Sequence, residues 1–285
     1  MLNSDEVLDL DLAFDDRGAG EAVVLLPPFP FDRRFWRQTS AAIADAGFRA
    51  IAVDYPGFGP EGPAAPAALS IASIADRTAG LLHQLGVERA AVLGMSMGGY
   101  VALAFAARFR QRLRAVILAD TRATADTAAA LGGRAQALET LASRGVEAYL
   151  DGSLPRLLAP DAPPATVAAA RALAVTRAEA LVAGIGALRD RPDRTTDAEA
   201  LACPALVVCG AVDQVVPPAE MRALAAVIPG ARFVEVPGAG HLSSLEAPAL
   251  FNGAVLGFLS SLTPPREGAG DDPPPAPPAH ETEPA

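Results

Sequence analysis

The sequence predicts an α/β fold, a mostly parallel central sheet flanked by helices, and three observations carry that prediction. Short β-rich apolar runs alternate with helical patterns over roughly the first 120 residues, the alternation stops over residues 121–199, and it resumes up to residue 262. Such alternation is the signature of βαβ units with a parallel sheet. Strands standing before and after a helical excursion imply one sheet interrupted by an insertion.

The elements follow in chain order. Strands are expected at residues 7–14, 22–26, 49–54, 90–93 and 115–119, with helices at 34–46, 71–85 and 97–109 between them. From Thr121 to Glu199 the β-branched runs give way to Ala/Leu/Arg-rich segments broken at Gly132–Gly133, Pro155 and Pro163–Pro164, which reads as several helices without a strand. Strands return at 205–208 and 232–236, each followed by a helix, at 218–227 and 248–262. The expected organisation is a core of residues 1–120 and 200–263, a helical lid of residues 121–199, and a tail of residues 264–285. That tail is Pro-rich and acidic, with too little apolar surface to offset its ordering entropy, so disorder is expected there.

At 285 residues the chain can bury a substantial core. Its net charge of −10 repels phosphate backbones and anionic bilayers, which argues against nucleic-acid and membrane partners. The N-terminal "MLNSDEVLDLDL" has neither a basic region nor a long apolar one, so no secretory signal is read there, and a cytoplasmic location is expected. Cys203 and Cys209 bracket one strand, and an extended segment of that length holds them about 20 Å apart, beyond disulfide reach. No cluster has metal-ligand spacing, and no cofactor is expected. Oligomeric state is not legible. The absence of lysine reads as coding bias.

Chemistry concentrates at Gly94-Met95-Ser96-Met97-Gly98-Gly99, which follows the apolar "AAVL" and precedes the helical "YVALAFAARF". A strand that turns abruptly into a helix forces its apex residue toward unusual backbone angles and requires small neighbours. Ser96 is thereby held clear of the sheet at its carboxyl edge, where ligands gather in α/β folds. The free N–H of Met97, at the helix start, would face an oxyanion formed beside Ser96. No Lys-Ser/Thr follows the glycines, so a phosphate loop is disfavoured.

Serine needs a base within hydrogen-bond reach. Of three histidines, His83 lies in the helical "GLLHQLG" and His280 in the tail. His241, in the glycine-bearing turn "VPGAGHLSSLEAP" just past a strand, is the one that can be positioned. Its orienting carboxylate is assigned to Asp213 in "VVCGAVDQVVPP", with Asp120 at the end of "AVILAD" as the rival. Asp54 in "DYPGFG" reads as a structural turn residue.

With Ser96, Asp213 and His241 in that order, the chain resembles the α/β-hydrolase superfamily, of the lid-bearing serine esterase and lactonase kind. The resemblance covers about residues 7–262 through "GMSMGG", "DYPGFG", "GAVDQVVPP" and "GAGHLSSLEAP". It implies an acyl-enzyme mechanism on Ser96 and a small-molecule, ester-like substrate. Members usually carry His-Gly after the strand that supplies the second oxyanion donor, whereas this chain has Pro27-Pro28, so the resemblance places that donor at Phe29. Among Pro27, Pro28, Phe29 and Pro30, only Phe29 has an N–H to give. The prolines around it stiffen the loop.

A carboxylic-ester hydrolase or lactonase is the leading reading. The alternatives keep the triad with other acyl chemistry (thioesterase, C–C bond hydrolase, acyltransferase, cofactor-free perhydrolase) or make the chain a receptor-type binder. The lid, rich in Leu, Val and Ala, suggests an apolar pocket. Arg122, Arg171 and Arg177 either meet a substrate carboxylate or lie on solvated helix faces.

Overall fold

The computed structural model describes residues 12–59 and 69–262. Seven strands form one sheet in the order β1-β3-β2-β4-β5-β6-β7. β2 (Ala22–Leu26), β3 (Arg49–Val53), β4 (Ala90–Met95), β5 (Leu113–Ala119), β6 (Ala205–Gly210) and β7 (Arg232–Val236) run parallel. β1 (Phe14–Gly18) lies antiparallel on the edge beside β3, with Phe14 opposite Val53.

That first strand corrects the expectation of residues 7–14, most of which lie outside the described residues. β1 is "FDDRG", exposed along its whole length. A one-sided edge strand needs no apolar run; here Asp15 pairs with Arg33 (2.9 Å) and Asp16 with Arg49 (2.6 Å), so charge fixes what hydrophobic pattern could not locate.

The interior strands bury both faces, which is why they read as continuous apolar runs. In β2 the alternation is plain: Val23 and Leu25 join one buried cluster, while Ala22, Val24 and Leu26 join the other. α2 (Ile71–Gln84), α3 (Met97–Arg108) and α8 (Pro218–Val227) cover the second face, whereas α1 (Arg37–Asp45) and α10 (Pro248–Leu262) cover the first. A 3-10 turn, Arg33–Trp36, precedes α1 where one continuous helix was expected. Asp32 caps that turn by accepting from the Arg34 N–H at 2.9 Å.

The order of strands reverses between β2 and β4: the chain runs outward from β2 to β3, then crosses back to β4. Loops leaving the carboxyl ends of β2 and β4 therefore flank the crevice where α/β sheets take ligands.

Between β5 and β6 come α4 (Ala128–Ser153), α5 (Pro164–Leu173), α6 (Ala178–Arg189) and α7 (Thr195–Glu199), with no named strand among them. The expected break at Gly132–Gly133 is absent. α4 runs through both glycines and kinks instead at Gly145, whose φ is +80°. Two helical glycines cost about 1 kcal/mol each, which the surrounding Ala, Leu and Gln positions absorb, whereas a left-handed φ ends regular helix outright. Pro155 and Pro163–Pro164 do interrupt, Pro155 inside a 3-10 turn and Pro163 just before α5.

The two ends of the insertion meet. The Arg194 N–H donates to the Ala123 carbonyl at 2.8 Å, and the buried Arg191 guanidinium pairs with Asp126 at 2.6 Å while lying over the Tyr100 ring. Among the described residues no helix is long and apolar enough to cross a membrane. The expected tail lies outside them.

Candidate active site

Ser96 stands between the end of β4, the central strand of the sheet, and the start of α3, with φ 52° and ψ −112°. A non-glycine residue there is strained, and the strain persists because its surroundings leave no alternative. A Cβ on Gly94 would overlap the Gly98 carbonyl, one on Gly98 would overlap the Leu26 carbonyl at the end of β2, and one on Gly99 would overlap Thr121. Ser96 is further pinned by its own N–H to Ala119 (2.9 Å) and by the Thr121 hydroxyl donating to its carbonyl (2.8 Å). Strands β2, β4 and β5 thus all converge on one side chain.

The structure brings the three expected residues together. His241 Nε2 lies 2.8 Å from Ser96 Oγ, and His241 Nδ1 lies 2.8 Å from Asp213 Oδ2. Asp213 is held by the turn after β6: its other oxygen accepts the N–H groups of Val215 (2.7 Å) and Val216 (3.0 Å). His241 and Asp213 are buried, while Ser96 remains partly open. Burial opposes a charge on His241, but the Asp213 carboxylate outweighs it and holds the imidazole pKa above its ordinary value. An imidazole so placed can accept the serine proton and keep the resulting positive charge beside a carboxylate.

Asp120, the rival, does not touch the imidazole. It is fully buried, sits at φ 45°, accepts from the Gly210 N–H at 2.7 Å and takes a short hydrogen bond from the Ser243 hydroxyl. Burial pushes its pKa up to about 8. It ties the acid-bearing turn to the histidine-bearing one from below.

The proline-rich loop after β2 is shaped by a cis Phe29–Pro30 bond, with Phe31 N–H closing onto the Pro28 carbonyl (2.8 Å) and the Tyr55 hydroxyl donating to the Pro27 carbonyl (2.6 Å). Among the described residues neither the Phe29 nor the Met97 N–H donates to a backbone acceptor. The insertion grips this loop. Val175 N–H donates to the Pro30 carbonyl (2.9 Å), and Gly184 of α6 admits the Phe29 and Phe58 rings so closely that a Cβ would come within 2.6 and 2.7 Å of them.

The other singled-out residues stand outside the Ser96–His241–Asp213 contacts, although Arg122 donates to the Val215 carbonyl of the acid turn at 2.6 Å. His83 is exposed on α2, and His280 lies outside the described residues. Asp54 is structural as expected, accepting the Arg33 N–H at 2.7 Å and pairing with its guanidinium. Arg122 pairs with Glu220 (3.3 Å), Arg177 with Glu179 (3.3 Å), and Arg171 with Glu147. Cys203 and Cys209 are free thiols. Two cavities lie around Cys203 at the amino ends of β5 and β6, on the edge of the sheet opposite Ser96. No metal-binding cluster occurs among the described residues.

Sequence reasoning passed over Glu246, the last residue of the short helix α9 (Ser243–Glu246), whose carboxylate accepts from the N–H groups on either side of His241. The signal was present as Ser243-Ser-Leu-Glu246, an S-x-x-E pattern of the kind in which a glutamate reaches back to the N–H groups before a helix.

Residues 21–248 match the family model for the alpha/beta hydrolase fold. The chain belongs to that family. The esterase from Thermogutta terrifontis, solved with malate bound, superposes with a TM-score of 0.83 at 36% identity, covering 88% of this chain and 93% of that one. The enol-lactonase from Burkholderia xenovorans LB400 superposes with a TM-score of 0.80 at 30% identity, covering 87% and 96%. In sequence, the chain is 30% identical over 260 residues to part of the polyketide synthase ThaQ of Burkholderia thailandensis, spanning 89% of this chain but 12% of that protein. As a member of the family, the chain is an enzyme of the alpha/beta hydrolase fold.

Proposed function

We propose that this enzyme hydrolyses carboxylic esters or lactones through an acyl-enzyme on Ser96. The observation that carries the reading is the pair of 2.8 Å contacts of His241, to Ser96 Oγ on one side and Asp213 on the other. His241 takes the hydroxyl proton as Ser96 attacks the acyl carbonyl, and the Phe29 and Met97 N–H groups receive the oxyanion. The imidazolium, stabilised by Asp213, protonates the departing alkoxide. Water then delivers its proton to His241, attacks the acyl carbon and releases the acid, restoring the serine. Each oxyanion donor lowers the barrier by roughly 3–4 kcal/mol.

The esterase and enol-lactonase neighbours support this substrate class. We assign the insertion the role of a lid that shapes the acyl or alcohol pocket, on the grounds that it meets the loop carrying Phe29 through Val175 and Gly184. The reading is tested with short p-nitrophenyl esters and simple lactones, using Ser96→Ala as the comparison. Wild-type turnover that falls by about 10⁴-fold or more in the variant supports it. Equal rates in both proteins would leave a binding protein as the better account. Thioester and vinylogous diketone substrates run in parallel rank the other acyl chemistries.

A further inference from the structure

The turn carrying His241 presents two backbone N–H groups, of Gly240 and Leu242, one on each side of the imidazole-bearing residue. Both donate to the same oxygen, Oε1 of Glu246, at 3.0 and 3.2 Å. The other oxygen, Oε2, accepts at 2.7 Å from the N–H of Ala159, which belongs to the helical insertion, 87 positions earlier in the chain. The two segments are also in direct backbone contact, since a Cβ on Gly240 would overlap the Ala159 nitrogen and crowd Leu158 at 2.6 Å. One half-buried carboxylate therefore joins the histidine turn to the insertion.

The turn's other holds lie to either side of the imidazole: the Ala239 carbonyl accepts from the Val212 N–H at 3.0 Å, the Leu242 carbonyl accepts from the Leu245 and Glu246 N–H groups at 2.8 and 3.0 Å, and the Ser243 hydroxyl is bound to Asp120, while the Ala239 N–H reaches the Val236 carbonyl only at 3.4 Å. Among the described residues the N–H groups of Gly240 and Leu242 themselves are held by Glu246. Asp213 sets the ring's rotation through Nδ1, but where the ring sits depends on the backbone from which it hangs. Two buried N–H groups left without an acceptor keep their full desolvation penalty, and the turn shifts to find water or another partner.

We propose that Glu246 is the positioning residue that fixes His241 against Ser96 and couples this geometry to the helical insertion. The inference rests on the reading of Ser96 and His241 as the reacting pair. Glu246 touches no reacting atom; it acts through the backbone on either side of the base.

The chemistry of the contacts separates its two roles. In Glu246→Gln the amide oxygen faces either the two turn donors or the single Ala159 donor, and the NH₂ group opposes whatever remains. Facing the turn leaves one donor-donor opposition instead of two, so glutamine keeps the histidine in place and releases the insertion. Glu246→Ala releases both.

Two rates test this: hydrolysis of p-nitrophenyl acetate, and covalent labelling of Ser96 by a fluorophosphonate, which needs the serine and its base but no particular substrate. Thermal melts accompany both. In folded E246A both rates should fall about 30- to 100-fold, the size expected of a displacement near 1 Å. E246Q should keep its labelling rate within about threefold while KM for the ester rises several-fold, a split that simple loss of stability does not produce.

Labelling of folded E246A within twofold of wild type, or of E246Q as slow as E246A, would overturn the proposal. Should E246A not fold, E246Q decides alone: a raised KM supports the coupling and an unchanged KM refutes it. Absent ester turnover with labelling intact would count against the ester reading, and the labelling rates would still judge Glu246.

Discussion

The carboxyl edge around Ser96 and the helical insertion between β5 and β6 differ in how tightly each is specified. At the edge, Gly94, Gly98 and Gly99 have no room for a single added carbon, and Ser96 is held at φ 52° by bonds to Ala119 and Thr121 at the end of the neighbouring strand. In the insertion, Gly132, Gly133, Gly145 and Gly186 face open space, and charge pairs such as Arg171 with Glu147 sit near solvent. Ser96 is thus set by steric exclusion, which tolerates almost nothing. The insertion, apart from Gly184 and the buried Arg191–Asp126 pair, is set by propensity and exposed charge, which tolerate a great deal.

The contrast can be broken at its strongest point first. Asp213→Asn keeps the shape of the acid turn but favours the wrong imidazole tautomer, and kcat should fall by about 10⁴-fold with little change in melting temperature. A loss below tenfold would mean that Asp120 serves His241 instead. Gly98→Ala drives a methyl into the Leu26 carbonyl and should destabilise the fold by about 1–3 kcal/mol or more, measured by denaturant unfolding.

The pH profile of kcat/KM sharpens the comparison. His241 acts as a base only when neutral, and its pKa is raised, so activity should climb with pH through a midpoint above the ordinary value of 6.5. A midpoint below that value would show that burial, not Asp213, governs the imidazole. The smallest effect belongs to the insertion: Gly133→Ala should stabilise the protein by about 1 kcal/mol or less, with turnover unchanged.

The same division explains what could be read from the chain. The parallel strands, the elbow and the single positionable histidine were legible because each rests on local rules: apolar runs for strands buried on both faces, small residues where a strand meets a helix, a base that must be anchored. Helices α8 and α10 begin and end where the pattern placed them. β1 was misplaced because its pairing is by charge, on an edge with no buried face. The kink at Gly145 was missed because Gly132–Gly133 is the more conspicuous break in sequence, and only tertiary structure decides which glycine takes a positive φ. Glu246 escaped notice because its partners are backbone N–H groups: the S-x-x-E pattern at residues 243–246 pointed only to those just before the helix, and nothing local points to Ala159, 87 positions earlier.

The hydrogen bond from Arg194 to Ala123 closes the insertion at its base. Where the polypeptide departs from the sheet edge and where it returns are neighbours, so the whole span between them is a loop closed at its neck. Such a cassette could be lengthened, shortened or exchanged for another without shifting β5 or β6. New substrate preferences would then be available to a scaffold in which Ser96, His241 and Asp213 need not move, provided the replacement keeps the donors that Ala159 and Val175 give to Glu246 and Pro30.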